Sequence, residues 1–120
     1  MVDINAQAQA ALEKTGYNVV FRYPQNMGEI PVIAFYTVSE SGELSADNCE
    51  MFRRGVIGAD VFGTTPMECM LMSQSAETAM KADGWDMIEA ADADSEADGV
   101  FCRKMKFTKS FYVFEEGGII

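Results

Sequence analysis

The chain has 120 residues and sets 19 acidic side chains against 9 basic ones, a formal charge of −10. That length suits one domain with a single modest core. The acidic excess excludes an ordinary nucleic-acid-binding surface, which needs clustered Lys and Arg to displace phosphate counterions. Histidine is absent, which removes most metal sites, Ser-His and Cys-His nucleophile pairs and histidine general bases. The apolar fraction of 48% places the chain among folded proteins. No window of about 18 apolar residues is present to span a membrane, and the start, MVDINAQAQAALEK, lacks the basic and apolar regions of a signal peptide. Cys49, Cys69 and Cys102 form no CxxC pair, which fits reduced thiols better than a disulfide frame. Nine methionines read first as adaptable core filler.

Asp3 is a good N-cap for a short helix reaching about Thr15, with Ile4, Ala8, Ala11 and Leu12 at helical spacing and Gly16 to close it. Tyr17 to Tyr23 is rich in β-branched and aromatic residues and stops at Pro24, the pattern of a strand. After a turn over Gln25 to Glu29, Ile30 to Val38 predicts a second strand, apolar on both faces and therefore central. Glu40 to Glu50 (ESGELSADNCE) reads as a projecting polar loop, too long for a tight hairpin.

From Met51 the chain is extended again. Ile57, Ala59 and Val61 alternate with Val56, Gly58, Asp60 and Phe62. Gly55 and Gly58 mark a bulge or a close approach of another group to the backbone. The sharpest local signal follows: Thr65 as N-cap, Pro66 at N1 and Glu68 at N3, a capping box. Cys69, Met72, Ala76 and Met80, with Leu71 and Ala79 alongside, form the expected buried stripe, and Gly84 is the left-handed stop. Trp85 to Ala90 and Val100 to Val113 complete the strands, and EEGGII (115–120) reads as a loosely held tail after a domain of residues 1–114.

Three features invite a chemical reading. The carboxylates of Asp92, Asp94, Glu96 and Asp98 alternate as in a Ca²⁺ loop, but an EF-hand counted from Asp92 would put Ala97 and Arg103 where glycine and glutamate are required. A solvated hairpin loop is the simpler reading. Cys69 lies on the apolar stripe with no base near it in sequence, so it reads as buried and inert. Arg103, Lys104, Lys106 and Lys109 give the last strand a basic flank of the kind that guards a sheet edge. No phosphate loop and no GxSxG occurs, so no catalytic residue, cofactor or metal is assigned.

The expected order is αβββαββ: an α+β two-layer sandwich, with a mainly antiparallel sheet of about five strands covered by two helices on one face. One face of such a sheet is poorly covered by its own chain, which predicts either a polar outer face or a partner. Val20, Phe35, Phe62, Phe101 and Phe107 are too many to bury beneath two short helices, which makes a partner plausible.

Several stretches together carry a family resemblance. They are Ile30 to Tyr36, the run Ala59-Asp60-Val61-Phe62-Gly63, Thr65-Pro66-Met67-Glu68 opening a helix that ends in Ala82-Asp83-Gly84-Trp85, and Gly99 to Phe107 after an acidic loop. The series resembles the small tail-completion, or tail-terminator, proteins of long-tailed bacteriophages and prophages. There the strand before the helix commonly reads V-D-I-W-G and the last strand G-L-Y-H-K-V-M-R-F. The present chain matches at Asp60 to Gly63 and carries Cys102 where histidine is common. The similarity spans about Tyr17 to Phe107.

The resemblance implies a protein without catalysis. Such proteins form a ring, commonly of six subunits, on the last ring of the tail-tube protein, stop tube growth and present a surface to head-side connector proteins. Assembly takes place in the bacterial host cytoplasm and the product resides in the virion neck. DNA passes through a carboxylate-lined channel without specific binding. On this reading Glu40, Glu43 and Asp47, and Asp92, Asp94, Glu96 and Asp98, are channel-facing or interface residues. Alternatives are another neck protein (a head-side connector or stopper), a small ligand-binding α+β module, and an enzyme using carboxylates or Cys69.

Overall fold

A computed structural model describes residues 3–21, 30–44, 50–94 and 98–114, with the backbone alone described at 43–44, 50–52 and 112–114. The elements are α1 (Ile4–Glu13), β1 (Asn18–Phe21), β2 (Val32–Leu44), β3 (Glu50–Gly63), α2 (Pro66–Ala82), β4 (Asp86–Ala93) and β5 (Phe101–Phe114). This is the expected αβββαββ order of an α+β fold. The strands form one sheet in the order β1-β2-β3-β5-β4. β1 runs parallel to β2, and every other neighbour is antiparallel. Because β5 lies between β3 and β4 and opposes both, those two run parallel, and α2 carries the chain across between them.

Both helices start as their residues dictate. Asp3 accepts a hydrogen bond from the Ala6 amide at 3.1 Å, and Thr65 accepts one from the Glu68 amide at 3.0 Å. The capping box is displaced by one residue: the Glu68 carboxylate reaches past Thr65 to accept from the Thr64 amide at 2.7 Å and its hydroxyl at 3.1 Å. Gly16 and Gly84 adopt the left-handed φ that ends each helix.

Strand parity divides the core. Ile33 and Phe35 of β2, Ile57, Ala59 and Val61 of β3, and Met105, Phe107 and Phe111 of β5 face the helices. They meet Ile4, Ala8, Ala11 and Leu12 of α1 and Cys69, Met72, Ala76 and Met80 of α2. Leu71, expected alongside this stripe, is 51% exposed; Ser73 is buried in its place. The reason is angular: 69, 72, 73, 76 and 80 share one helix face, and 71 lies off it. Gly55 and Gly58 admit the close approaches expected of them. A Cβ on Gly55 would sit 2.8 Å from Ile4 Cδ1. One on Gly58 would overlap the Tyr36 ring, 2.6 Å from Cε2.

The helix-free face has its own small cluster of Val32, Ala34, Phe62 and Cys102, with Val20, Ile30, Ala93 and Val100 packed against it. The five large side chains thus divide between the two faces: Phe35 and Phe107 lie under the helices, Val20 and Phe62 lie opposite, and Phe101 is 42% exposed. The five do not all lie beneath the helices, as their number implied.

Three further expectations change. The segment read as a projecting loop from Glu40 is strand as far as Leu44, which pairs with Met51. Its ladder needs only backbone groups, and β3 is held in place by β5 on its other side, so polar side chains do not end the pairing. Trp85 precedes β4 and is buried, whereas Ile88 falls at a register shift between Met87 and Glu89 and is 56% exposed. β5 is an interior strand, so its cations guard no edge. The predicted turn at 25–29, the tail at 115–120 and Cys49 lie outside the described residues.

Candidate functional site

The cations of β5 are committed locally. Arg103 pairs with Asp92 at 3.0 Å and donates from Nε to Ser73 Oγ at 3.2 Å, joining β4, β5 and α2. Lys106 lies 3.7 Å from Glu89. Lys109 donates to the Asp83 carbonyl at the end of α2 and to Gln7 Oε1 of α1 at 3.1 Å. Its ammonium lies 5.9 Å from the Trp85 ring centroid and 5.3 Å from that of Phe111. A cation at a helix C-terminus meets the negative end of the dipole, so Lys109 fastens both helices to the last strand.

At the middle of the helix-free face stands Asp60, fully buried on β3. It accepts from the Tyr36 hydroxyl at 3.3 Å and lies 3.9 Å from Lys104 Nζ. Sequence parity placed Asp60 on this face, but nothing in its neighbours signalled burial. The Tyr36 ring lies across Gly58 and covers it. Beside the trio is a shallow groove of about 260 Å³ lined by Tyr36, Glu89, Ala91, Lys104 and Lys106 among others. The carboxylate, the phenol and the ammonium bring together side chains of β3, β2 and β5.

Both described cysteines are reduced and buried. Cys69 donates to the Phe101 carbonyl at 3.2 Å, and burial is the main cause pushing its pKa up. Cys102 is pushed up to about 11, by burial first and then by the charge of Asp60. Each is therefore a neutral thiol near pH 7, the opposite of a poised nucleophile. Among the described residues no group of three or more Cys, Asp or Glu is placed to hold a metal ion.

The acidic positions singled out in the sequence fall at opposite ends of the sheet. Glu40 lies on the extended part of β2, 3.8 Å from Arg53, and Glu43 is the register partner of Phe52. Asp92 lies near the end of β4 in its pair with Arg103, while Asp94 and Asp98 are exposed beyond it. Asp47 and Glu96 lie outside the described residues. Met51 pairs with Val113 and Gly63 with Phe101. The twelve-residue span along β3 therefore separates the two acidic ends by about 40 Å.

Sequence reading missed an apolar surface at the second of these ends. Met67 is 62% exposed, and Met70 and Phe101 are about half exposed. With Pro66, Cys69, Asp92, Ala93, Cys102 and Arg103, Met70 and Phe101 line a groove of about 220 Å³ between α2 and β4. The signal was available in the helix pattern, since 67, 70 and 71 lie away from the 69/72/76/80 stripe. A wider trough of about 700 Å³ runs between the two helices, open to solvent and lined by Lys14, Thr15, Gln74, Ser75 and Thr78 among others.

No protein-family model matches this chain. A comparison with curated proteins likewise finds no significant match. Among the described residues, no helix is long and apolar enough to cross a membrane.

Proposed function

We propose that the chain is a structural phage or prophage protein of the tail-terminator kind. It forms a ring, of six subunits by the family pattern, on the end of the tail tube, stops the tube's growth and offers a joining surface to head-side proteins. The observation that carries the self-assembly part is the open sheet. Its edges, β1 and β4, lie on opposite sides. Along β4 every residue but Ala90 and Ala93 is exposed, and those two are half-buried. Two different surfaces on opposite sides of one subunit suit a heterologous contact, which closes into a ring when the rotation allows. The phage assignment rests on the sequence resemblance.

The remaining features support a non-catalytic role. The thiols are neutral, and the lysines of β5 are engaged by carboxylates or carbonyls. The two grooves flanking β4 fall below the roughly 300–1,000 Å³ of usual ligand sites. The trough between the helices is large enough, but it is open rather than enclosing and brings no cluster of catalytic groups together. The acidic ends favour passage of DNA over retention.

The test is light scattering on a sizing column over a wide concentration range, with and without the candidate tail-tube protein. Growth from monomer to a closed ring, or capping of tubes at one end, is the expected result. A strict monomer that ignores the tube refutes the terminator reading and favours another neck protein or a ligand-binding module.

A further inference from the structure

We propose that the link between Asp98 and Gly99 is a site of spontaneous aspartate isomerisation, and that the fold confines this modification to it. The inference is independent of the ring reading above. The chain contains two Asp-Gly pairs, Asp83-Gly84 and Asp98-Gly99. Glycine has no Cβ to shield its amide nitrogen and its backbone turns freely, so an aspartate before it is open to attack on its side chain. In that step the glycine nitrogen bonds to Cγ of the protonated carboxyl group and the Cγ–OH bond breaks. The hydroxyl leaves with the amide proton as water, and a succinimide ring remains. Solvent water then opens the ring at either carbonyl. One opening restores aspartate; the other leaves the main chain running through the side-chain carbon, as isoaspartate. Nothing is oxidised or reduced.

Both reacting groups must be free, and at the first pair neither is. The Gly84 amide donates to the Lys81 carbonyl at 3.0 Å. The Asp83 carboxylate accepts from Trp85 Nε1 at 3.1 Å and lies 3.6 Å from Lys109 Nζ. The Asp83 amide donates to the Met80 carbonyl at 3.0 Å, so the residue cannot rotate into ring closure without opening the last turn of α2. The stem of Lys109 also covers the glycine: a Cβ on Gly84 would lie 3.3 Å from its Cε. Asp98 and Gly99 stand in the opposite condition. They form an exposed turn ahead of β5. Gly99 has a φ of +74°, and a Cβ there would meet nothing within 4 Å. Among the described residues, no carbonyl accepts from its amide and no cation pairs with Asp98. The fold thus locks one Asp-Gly pair and leaves the other open. Isomerisation there lengthens the backbone just before Val100, which packs on the helix-free cluster, and Phe101, whose carbonyl accepts from Cys69.

The experiment incubates the full chain in mildly acidic buffer, native and in urea, and follows isoaspartate with a carboxyl methyltransferase specific for it. Peptide mapping with electron-transfer fragmentation assigns the modified residue. In the native chain isoaspartate should form at Asp98 at least about tenfold faster than at Asp83, because Asp83 reacts only while the helix end is open. In urea the two rates should converge. Asp98→Glu, whose longer side chain closes a ring far more slowly, should remove the native signal and keep the parent's melting temperature. A native chain that forms isoaspartate at both residues at similar rates, or at neither, overturns the proposal. So does a preference for Asp98 that persists undiminished in urea, since sequence neighbours rather than the fold would then be its cause.

Discussion

Replacing Gly58 by alanine tests the packing of the helix-free face at its centre. The added Cβ would lie 2.6 Å from Tyr36 Cε2 and 2.7 Å from its hydroxyl oxygen, so the ring must swing away. That motion removes the hydrogen bond to Asp60, a carboxylate with no exposure of its own. A lost hydrogen bond to a charged group costs about 1.5–3 kcal/mol, and a displaced rotamer adds about 1 kcal/mol. Alanine recovers about 0.5 kcal/mol by restricting the unfolded chain. The net destabilisation is about 2–3.5 kcal/mol, a fall in Tm of about 8–14 °C at about 4 °C per kcal/mol for a chain of this size. Urea melts of the parent, Gly58→Ala, Tyr36→Ala and the double variant form the assay. If the clash with Tyr36 is the cause, adding Gly58→Ala to Tyr36→Ala should cost less than about 0.5 kcal/mol, giving a coupling well above the additive limit. Equal cost in both backgrounds refutes the reasoning.

Lys109→Met should destabilise by about 2 kcal/mol, because the Asp83 carbonyl and Gln7 lose their shared donor; hydrogen exchange should show the last turn of α2 opening first. Thr65→Ala should cost about 1 kcal/mol through the N-cap, and Thr65→Ser should recover most of it in the same denaturant melt. Folding raises the pKa of Cys102 from 9.0 to about 11, so the folded state holds the proton where the unfolded state releases it. The stability due to this thiol is complete below pH 9 and declines as the pH rises towards 11; Cys102→Ala should flatten that part of a stability-versus-pH curve.

Much of the local structure was legible because it depends on near neighbours. Asp3 and Thr65 cap their helices through amides three residues on, and Gly16 and Gly84 stop them through their own φ. The alternation of Ile57, Ala59 and Val61 assigned the helix-facing side of β3 without reference to any other strand. What the sequence withheld depends on partners distant along the chain. Nothing near Arg103 to Lys109 indicates that β5 inserts between β3 and β4, so cations expected at an edge instead pair with carboxylates of the neighbouring strands and meet a helix terminus. The polar stretch after Glu40 resembles a loop by composition, yet it is strand as far as Leu44, because β3 presents its backbone groups there. Asp60 is one carboxylate among many until Tyr36, 24 residues away, and Lys104, from another strand, close around it. Caps, turns and strand parity are set by interactions a few residues long; strand order, burial and charge pairing are set by which distant backbones meet, and only the tertiary structure decides that.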